Sequence, residues 1–148
     1  MNALTEYADA WESFWRDAPP GAGAVLWDAA PEEVAALHLP LLLSHTPGTL
    51  PLVDVGCGNG TQTRFLARHY ARVIGVDLSG TAVEFRRLDA ADPAPVGKLS
   101  EELGDADVYL RGVLHQCGPD DRARIAASVA TLVGRHGRAL VVEPARAA

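Results

Sequence analysis

Short apolar runs alternate along this chain with segments that carry apolar residues at helical spacing. Four runs predict buried strands: LVDV at 52–55, VIGV at 73–76, VYL at 108–110 and ALVVE at 139–143. Helical spacing predicts helices over 61–70 and 120–133, the second ending at Gly134 as its C-cap. Because each strand is apolar throughout, the pattern predicts the α/β class, with a mainly parallel sheet between two helical layers.

The first part of the chain predicts two helices. Aromatic residues at spacings of three and four indicate an amphipathic helix up to about residue 16. A second helix is predicted from Pro31 to about residue 44, and Pro40 is expected to end or kink it. We therefore expect one domain over 1–148, with a helical segment at 1–45 and an α/β core at 50–144.

The pattern leaves the pairing of a third strand open. VEFRRL at 83–88 could be a third strand, yet only residues 78–82 separate it from Asp77. A parallel crossover usually needs about a dozen residues or more. Either 83–88 does not pair in parallel with the second strand, or the crossover helix is missing from this sequence.

Composition limits the classes of function. The chain has 148 residues, with 13 Lys and Arg against 19 Asp and Glu, so its formal charge of -6 argues against a nucleic-acid binder. Cys57 and Cys117 form no metal-ligand cluster and suit a reducing compartment. The sequence shows no signal peptide, and its longest aliphatic run is too short to span a membrane, so we expect a cytoplasmic protein.

The stretch LVDVGCGNGT places three glycines directly after the first predicted strand. Their spacing is G-x-G-x-G, whereas a dinucleotide site needs G-x-G-x-x-G, and no phosphate-binding G-x-x-x-x-G-K-[ST] loop is present. Asp77 ends the second strand about 20 residues after the turn begins, where a carboxylate can accept hydrogen bonds from ribose hydroxyls. These features predict a site that binds a ribose without a pyrophosphate.

LVDVGCGNG followed by VIGVDLS resembles the class I S-adenosylmethionine-dependent methyltransferases, whose fold is a Rossmann-like sandwich. The resemblance covers about 52–143. It implies that S-adenosylmethionine is the cofactor, that Asp54 is the opening acidic residue, and that Asp77 binds the ribose. It also implies that Gly56, Gly58 and Gly60 line the amino-acid part of the cofactor.

The resemblance also assigns residues after the other strands. An acidic residue after the third strand approaches the adenine amino group, and RRLDA offers Asp89, with Asp92 as its competitor and a solvated loop as the alternative. The further cofactor contacts expected are Leu78, Ala90 and Arg111.

Methyl transfer needs alignment of donor and acceptor, with a base where the acceptor must lose a proton. His115, a few residues after the fourth strand, is the candidate base, although it could simply close a loop. N-terminal segments of the family often close over the cofactor, and the lid candidates are Tyr7, Trp11 and Trp15. For Trp11 and Trp15, the alternative is packing in the core together with Phe14 and Trp27.

The expected function is methyl transfer from S-adenosylmethionine to a small-molecule acceptor. The family usually has two more strands after the fifth, where this sequence ends, and much of the acceptor site can lie there. The alternative is therefore a truncated or non-catalytic domain that binds the cofactor or a partner. An open sheet edge would need covering by the N-terminal helices or by a second copy in a homodimer.

Overall fold

The structure is a computed structural model of the chain. It describes residues 9–10, 13–14, 17, 31–45, 49–77 and 86–145. Residues 9–10, 13–14 and 17 are helical. The predicted lid residues Tyr7, Trp11 and Trp15, and also Trp27 and Leu78, lie outside the described residues.

Five strands form one sheet within the described part of the chain. They are β1 (Leu52–Val55), β2 (Val73–Asp77), β3 (Arg86–Arg87), β4 (Asp107–Arg111) and β5 (Ala139–Val142). Their spatial order is β3-β2-β1-β4-β5, and all four pairings are parallel. The predicted mainly parallel α/β sandwich is thereby confirmed.

Four α-helices cover this sheet in the described segments. They are α1 (Pro31–His45), α2 (Thr61–Leu66), α3 (Pro93–Leu103) and α4 (Pro119–Val133), and a 3-10 turn covers Leu114–Gln116. Pro40 does not end α1; it is exposed, so the hydrogen bond that it cannot donate lies on the solvent side of the helix.

Alternation along each strand directs side chains to two separate cores. Val53 and Val55 on β1 point to the larger core, which α3 and α4 complete. Leu52 belongs to the other core, with Tyr109 of β4 and Leu42 of α1. The central strands β1, β2 and β4 are therefore buried on both faces, as their apolar residues predict. The edge strand β5 alternates between exposed and partly buried residues, so its predicted burial on both faces is wrong.

Helix α3 was not predicted from the sequence, although its boundary signals are ordinary. The Asp92 side chain accepts a hydrogen bond from the N–H of Ala94 at 3.0 Å, Pro93 occupies the first turn, and Gly104 follows the last. The predicted helix at 61–70 is also shorter than expected. Its last residues form tighter turns, in which the N–H of His69 bonds to the carbonyl of Leu66 at 2.9 Å.

The third strand does pair in parallel with β2, although only over two residues. Val76 stands opposite Arg86, and Asp77 stands opposite Arg87. The N–H of Leu88 extends the pairing by bonding to the carbonyl of Asp77 at 2.8 Å. Of the two alternatives for 83–88, the one without a parallel pairing is wrong for 86–88; residues 83–85 lie outside the described part.

The order of the strands places a crevice at the carboxyl edge of the sheet. The chain moves from β1 to β2 and β3 on one side, then returns to β4 and β5 on the other. The connections that follow β1 and β4 therefore run in opposite directions from the carboxyl ends of these neighbouring strands. In open α/β sheets, ligands bind in the crevice at this point. None of the described helices is long and apolar enough to cross a membrane.

Candidate functional site

A cavity of about 550 Å³ opens at this carboxyl edge, above β1 and β4. Its walls come from the turn after β1, the segment after β3, and the ends of β4 and β5. Apolar side chains of Val76, Leu88, Val113 and Ile125 form much of its lining. The volume lies within the range of about 300–1,000 Å³ that is typical of small-molecule sites.

In the glycine turn after β1, Gly56 and Gly58 line the cavity with backbone that carries no side chain. The N–H groups of Gly56 and Cys57 both bond to the carbonyl of Val76, at 2.8 and 3.2 Å. Gly56 has φ +69, and a Cβ built on it would lie 2.5 Å from Cγ2 of Val113. The wall residue Val113 thus packs where any other side chain at position 56 would have to lie.

The other two glycines have different surroundings. Gly58 lines the cavity, whereas Gly60 precedes α2 with φ 78 and is not among the lining residues. Its N–H bonds to the carbonyl of Cys57 at 2.9 Å, within the turn. Gly60 therefore shapes the start of α2, while Gly56 and Gly58 form the cavity wall.

Asp77 connects the end of β2 to the glycine turn. Its Oδ2 accepts a hydrogen bond from the N–H of Gly58 at 2.8 Å, and the residue is half-buried in the cavity wall. The carboxylate of the predicted ribose contact and the bare backbone of the turn therefore stand side by side.

Asp54 is a buried carboxyl group at the floor of the cavity. It is 4% exposed, and its Oδ2 accepts a hydrogen bond from Oγ1 of Thr63 at 2.6 Å. Burial raises the pKa of Asp54 to about 7, against the lowering effects of the Thr63 hydrogen bond and of Arg111. Asp54 thus sits between the neutral and the charged form near neutral pH.

The structure separates the two acidic residues that follow β3. Asp89 lines the cavity together with Ala90, and its Oδ1 accepts the N–H of Ala91 at 2.8 Å. Asp92 is exposed and caps α3. The local geometry therefore brings Asp89, and not Asp92, to the cavity.

The end of β4 adds polar groups on the opposite wall. Tyr109 and Arg111 line the cavity, and Tyr109 is opposite Asp54 in the register of the two strands. The hydroxyl of Tyr109 lies 2.8 Å from Nδ1 of His38, a residue of α1. Burial raises the pKa of Tyr109 above its usual range, so this hydroxyl stays neutral.

His115 and Glu143 meet at the mouth of the cavity. Nδ1 of His115 lies 2.8 Å from Oε2 of Glu143, and both residues line the cavity. The side chain of His115 is 45% exposed, whereas that of Glu143 is 24% exposed. The imidazole therefore faces both solvent and the cavity, held from one side by a carboxylate.

The predicted site residues converge, with the exceptions already given. The residues that both the sequence predicts and the cavity contains are Asp54, Gly56, Gly58, Asp77, Asp89, Ala90, Arg111 and His115. Sequence reasoning missed Glu143 as a site residue, although it comes directly after β5, just as Asp77 comes at the end of β2. It also missed Val113 and Tyr109, whose apolar or strand positions gave no chemical signal. No group of three or more potential metal ligands occurs within the described ranges.

A doubly wound parallel sheet, with a glycine turn and an acidic residue around a crevice at its switch point, defines the class of Rossmann-like α/β domains that bind a nucleoside. Residues 52–137 match the methyltransferase domain family, and the chain belongs to that family. The family predicted from LVDVGCGNG and VIGVDLS is thereby confirmed, together with its cofactor, S-adenosylmethionine.

Three relatives show how far this likeness extends. A SAM-dependent methyltransferase from Anabaena variabilis ATCC 29413 superposes with a TM-score of 0.82 at 31% identity, covering 95% of this chain and 61% of that one. A probable chloroplastic tocopherol O-methyltransferase from Oryza sativa subsp. japonica is 29% identical over 113 residues, which are 68% of this chain and 31% of that protein.

The third relative is the 1,6-didemethyltoxoflavin-N1-methyltransferase of Burkholderia thailandensis, with S-adenosylhomocysteine bound. It has a TM-score of 0.52 and 20% identity, over 95% of this chain and 64% of that one. At this identity the likeness concerns the fold alone. The chain spans about three fifths of the Anabaena protein and less than a third of the rice protein.

Proposed function

We propose that this chain transfers the methyl group of S-adenosylmethionine to a small-molecule acceptor. The observation that carries the proposal is the contact between Asp77 and Gly58, which puts a carboxylate and bare backbone at one wall of the cavity. The rice relative, named as a tocopherol O-methyltransferase, supports a small-molecule acceptor.

The residues around the cavity fit the parts of this cofactor. Asp77 accepts hydrogen bonds from the ribose hydroxyls, and Asp89 with Ala90 contacts the adenine. The turn at Gly56 and Gly58, with Arg111, holds the methionine part, whose carboxylate a guanidinium can pair with. The apolar lining excludes water from the reacting centre.

Asp54 supports the methionine end of this proposed arrangement. The cavity wall there contains the carboxyl of Asp54 and the guanidinium of Arg111, which interact electrostatically. The methionine part carries an ammonium and a carboxylate, so one acidic and one basic group match its charges. Binding of the ammonium favours the ionised form of Asp54.

When bound, S-adenosylmethionine supplies a methyl group on a sulfonium, which is already an activated electrophile. The chain therefore has to hold the acceptor in line with that methyl group and exclude water. His115 is the proposed base at the mouth of the cavity, where the acceptor enters.

Calorimetric titration with S-adenosylmethionine, S-adenosylhomocysteine and NAD tests the proposal. We expect the first two to bind and NAD not to bind, because the turn has no third glycine at the pyrophosphate spacing. Tight NAD binding without a response to the other two would overturn the proposal. Release of S-adenosylhomocysteine with candidate acceptors then separates an enzyme from a domain that only binds.

The remaining expectations concern the surroundings of the site. We propose a cytoplasmic enzyme without nucleic-acid or membrane partners, consistent with its formal charge of -6. A homodimer is proposed because β5 pairs only with β4 among the described strands, and light scattering tests it. Tyr7, Trp11 and Trp15 are the proposed lid; unchanged affinity and activity in a folded Trp15→Ala variant would exclude that role.

A further inference from the structure

Glu143 holds the turn that follows β4. Its Oε1 accepts hydrogen bonds from the N–H groups of Val113 and Leu114, at 3.1 and 2.8 Å. Its Oε2 accepts the N–H of His115 at 3.2 Å and lies 2.8 Å from Nδ1 of the same residue. One carboxylate thus fixes the backbone of the turn and the orientation of the imidazole.

Other contacts hold this turn independently of the charge on Glu143. The amide of Gln116 donates to the carbonyl of Gly112 at 2.6 Å. Nε of Arg122 donates to the carbonyl of Leu114 at 2.8 Å. A neutral amide at position 143 would also keep one oxygen acceptor for the backbone N–H groups. The turn therefore does not depend on the negative charge of Glu143. The charge acts mainly on the imidazole of His115.

The carboxylate determines which nitrogen of His115 carries the proton. An ionised carboxylate only accepts hydrogen bonds, so in the neutral imidazole the proton lies on Nδ1 and the lone pair on Nε2. Burial acts to raise the pKa of Glu143, but hydrogen bonds from Leu114 and His115 outweigh it and lower that pKa, which keeps the carboxylate ionised. No residue in the described part of the chain hydrogen-bonds Nε2.

We infer that Glu143 is a positioning residue for His115, and that the pair removes the proton from a hydroxyl acceptor. This inference rests on the proposed methyl transfer. A neutral hydroxyl is a poor nucleophile until it loses its proton, so a base with a fixed lone pair matters most for this acceptor class. A thiol, which ionises more easily, depends on such a base far less.

The proposed step balances in atoms and charge. An O–CH3 bond forms at the acceptor oxygen while the S–CH3 bond of the donor breaks, and S-adenosylhomocysteine leaves as a neutral thioether. The hydroxyl proton passes to Nε2 of His115. Glu143 stabilises the resulting imidazolium, which loses its proton to solvent through its exposed edge.

Nitrogen-15 NMR of the imidazole tests the positioning without any turnover. We expect the tautomer with the proton on Nδ1 in the unmodified chain, and a shift toward the tautomer with the proton on Nε2 in Glu143→Gln, whose amide can donate to Nδ1. An unchanged tautomer in a folded Glu143→Gln variant would overturn the positioning role.

Kinetics with a panel of phenols and alcohols, and of matched anilines and thiols, test the chemistry. We expect turnover of hydroxyl acceptors, a fall in kcat of about 100-fold in His115→Gln, and a fall of about tenfold or more in Glu143→Gln. The acceptor KM should change by less than about threefold. The double variant should lose no more than His115→Gln alone, because the two residues act as a unit.

Asp105 and His136 provide a matched control. Nδ1 of His136 lies 2.6 Å from Oδ2 of Asp105, which also accepts two backbone N–H groups, and neither residue lines the cavity. Asp105→Asn should alter the tautomer of His136 and leave kcat unchanged.

The outcomes separate the two proposals. Absence of S-adenosylmethionine binding in calorimetry contradicts the proposed function. Binding together with unchanged kcat in both single variants, or with turnover of amines or thiols only, overturns the present inference and leaves cofactor binding in place.

Discussion

The carboxylate of Asp77 lies 2.8 Å from the backbone nitrogen of Gly58, so the end of β2 is tied directly to the turn that follows β1. Residues 19 positions apart in sequence thus form one wall of the cavity. This contact is possible because the parallel pairing of β1 with β2 brings the carboxyl ends of the two strands to the same edge of the sheet.

Asp77→Asn should weaken the binding of S-adenosylmethionine. The amide keeps an acceptor for Gly58 but loses the charge, and a hydrogen bond to a charged group contributes about 1.5–3 kcal/mol. We expect the Kd from calorimetry to rise by about tenfold or more. Asp92→Asn is the control, because Asn also caps α3 and position 92 is outside the cavity. Equal affinities for both variants would contradict the ribose role.

Asp54 should make the free protein less stable as the pH rises. Its pKa in the folded state is about 7, above its ordinary value of 3.8, so between these pH values the folded state binds more protons than the unfolded state. The free energy of unfolding should therefore fall from about pH 4 to pH 7, by a few kcal/mol at most. Below this window the favourable contribution is fully present.

Urea unfolding of Asp54→Asn at several pH values checks this expectation. In this variant the free energy of unfolding should no longer fall between about pH 4 and pH 7. Its stability relative to the unmodified chain should therefore improve as the pH rises. Thr63→Val removes the hydroxyl that favours the ionised carboxyl, and should move the decline to higher pH. Parallel pH profiles for all three proteins would exclude the proposed titration of Asp54.

Gly56→Ala should destabilise the fold. The added Cβ would meet Cγ2 of Val113 at 2.5 Å, and the backbone has φ +69. Positive φ costs about 1–2 kcal/mol and overpacking about 1–3 kcal/mol, so we expect a loss of about 2–5 kcal/mol in urea unfolding.

Two further variants separate these causes. Adding Val113→Ala to Gly56→Ala should recover the part of the free energy of unfolding that is lost to the clash. The part that is lost to the positive φ should remain. Gly97→Ala in α3 has nothing within 4 Å of the new Cβ, and should stabilise the chain by about 0.5–1 kcal/mol. A fully additive double variant would show that Val113 is not the obstacle.

The short strand β3 should depend on the ion pairs of Glu102. Both Arg72 and Arg86 donate to this carboxylate, chiefly Arg86, and hold its pKa to about 2. Glu102→Gln should speed hydrogen exchange at the N–H of Leu88, which bonds to β2. Lowering the pH from about 4.5 toward 2 should likewise reduce the protection factor of the Leu88 N–H in the unmodified chain, measured relative to the intrinsic exchange rate at each pH.

The exposed neighbour Glu101 supplies the control for this experiment. Glu101→Gln should leave the exchange of Leu88 unchanged. High salt should reduce the difference between Glu102→Gln and the unmodified chain, because exposed ion pairs are screened. A difference that persists in 1 M salt would point to packing instead of charge.

Local sequence patterns were sufficient to predict four of the five strands, β1, β2, β4 and β5, and the glycine turn that begins the site. The run LVDV gave β1 with its observed bounds, because four buried residues before a glycine turn leave few alternatives. The same local chemistry identified Asp77 and the glycines. Helix α3 was missed although Asp92, Pro93 and Gly104 mark its ends in the sequence.

Which distant residues share the cavity depends on how the strands pair in the folded chain. Whether Asp89 or Asp92 faces it depends on how two residues of β3 pair with β2, and sequence spacing does not contain that register. Glu143 reaches His115 because β5 lies beside β4, although the two residues are 28 positions apart. Local patterns fix elements through short-range packing and hydrogen bonding, whereas neighbouring strands are chosen by burial across the whole sheet.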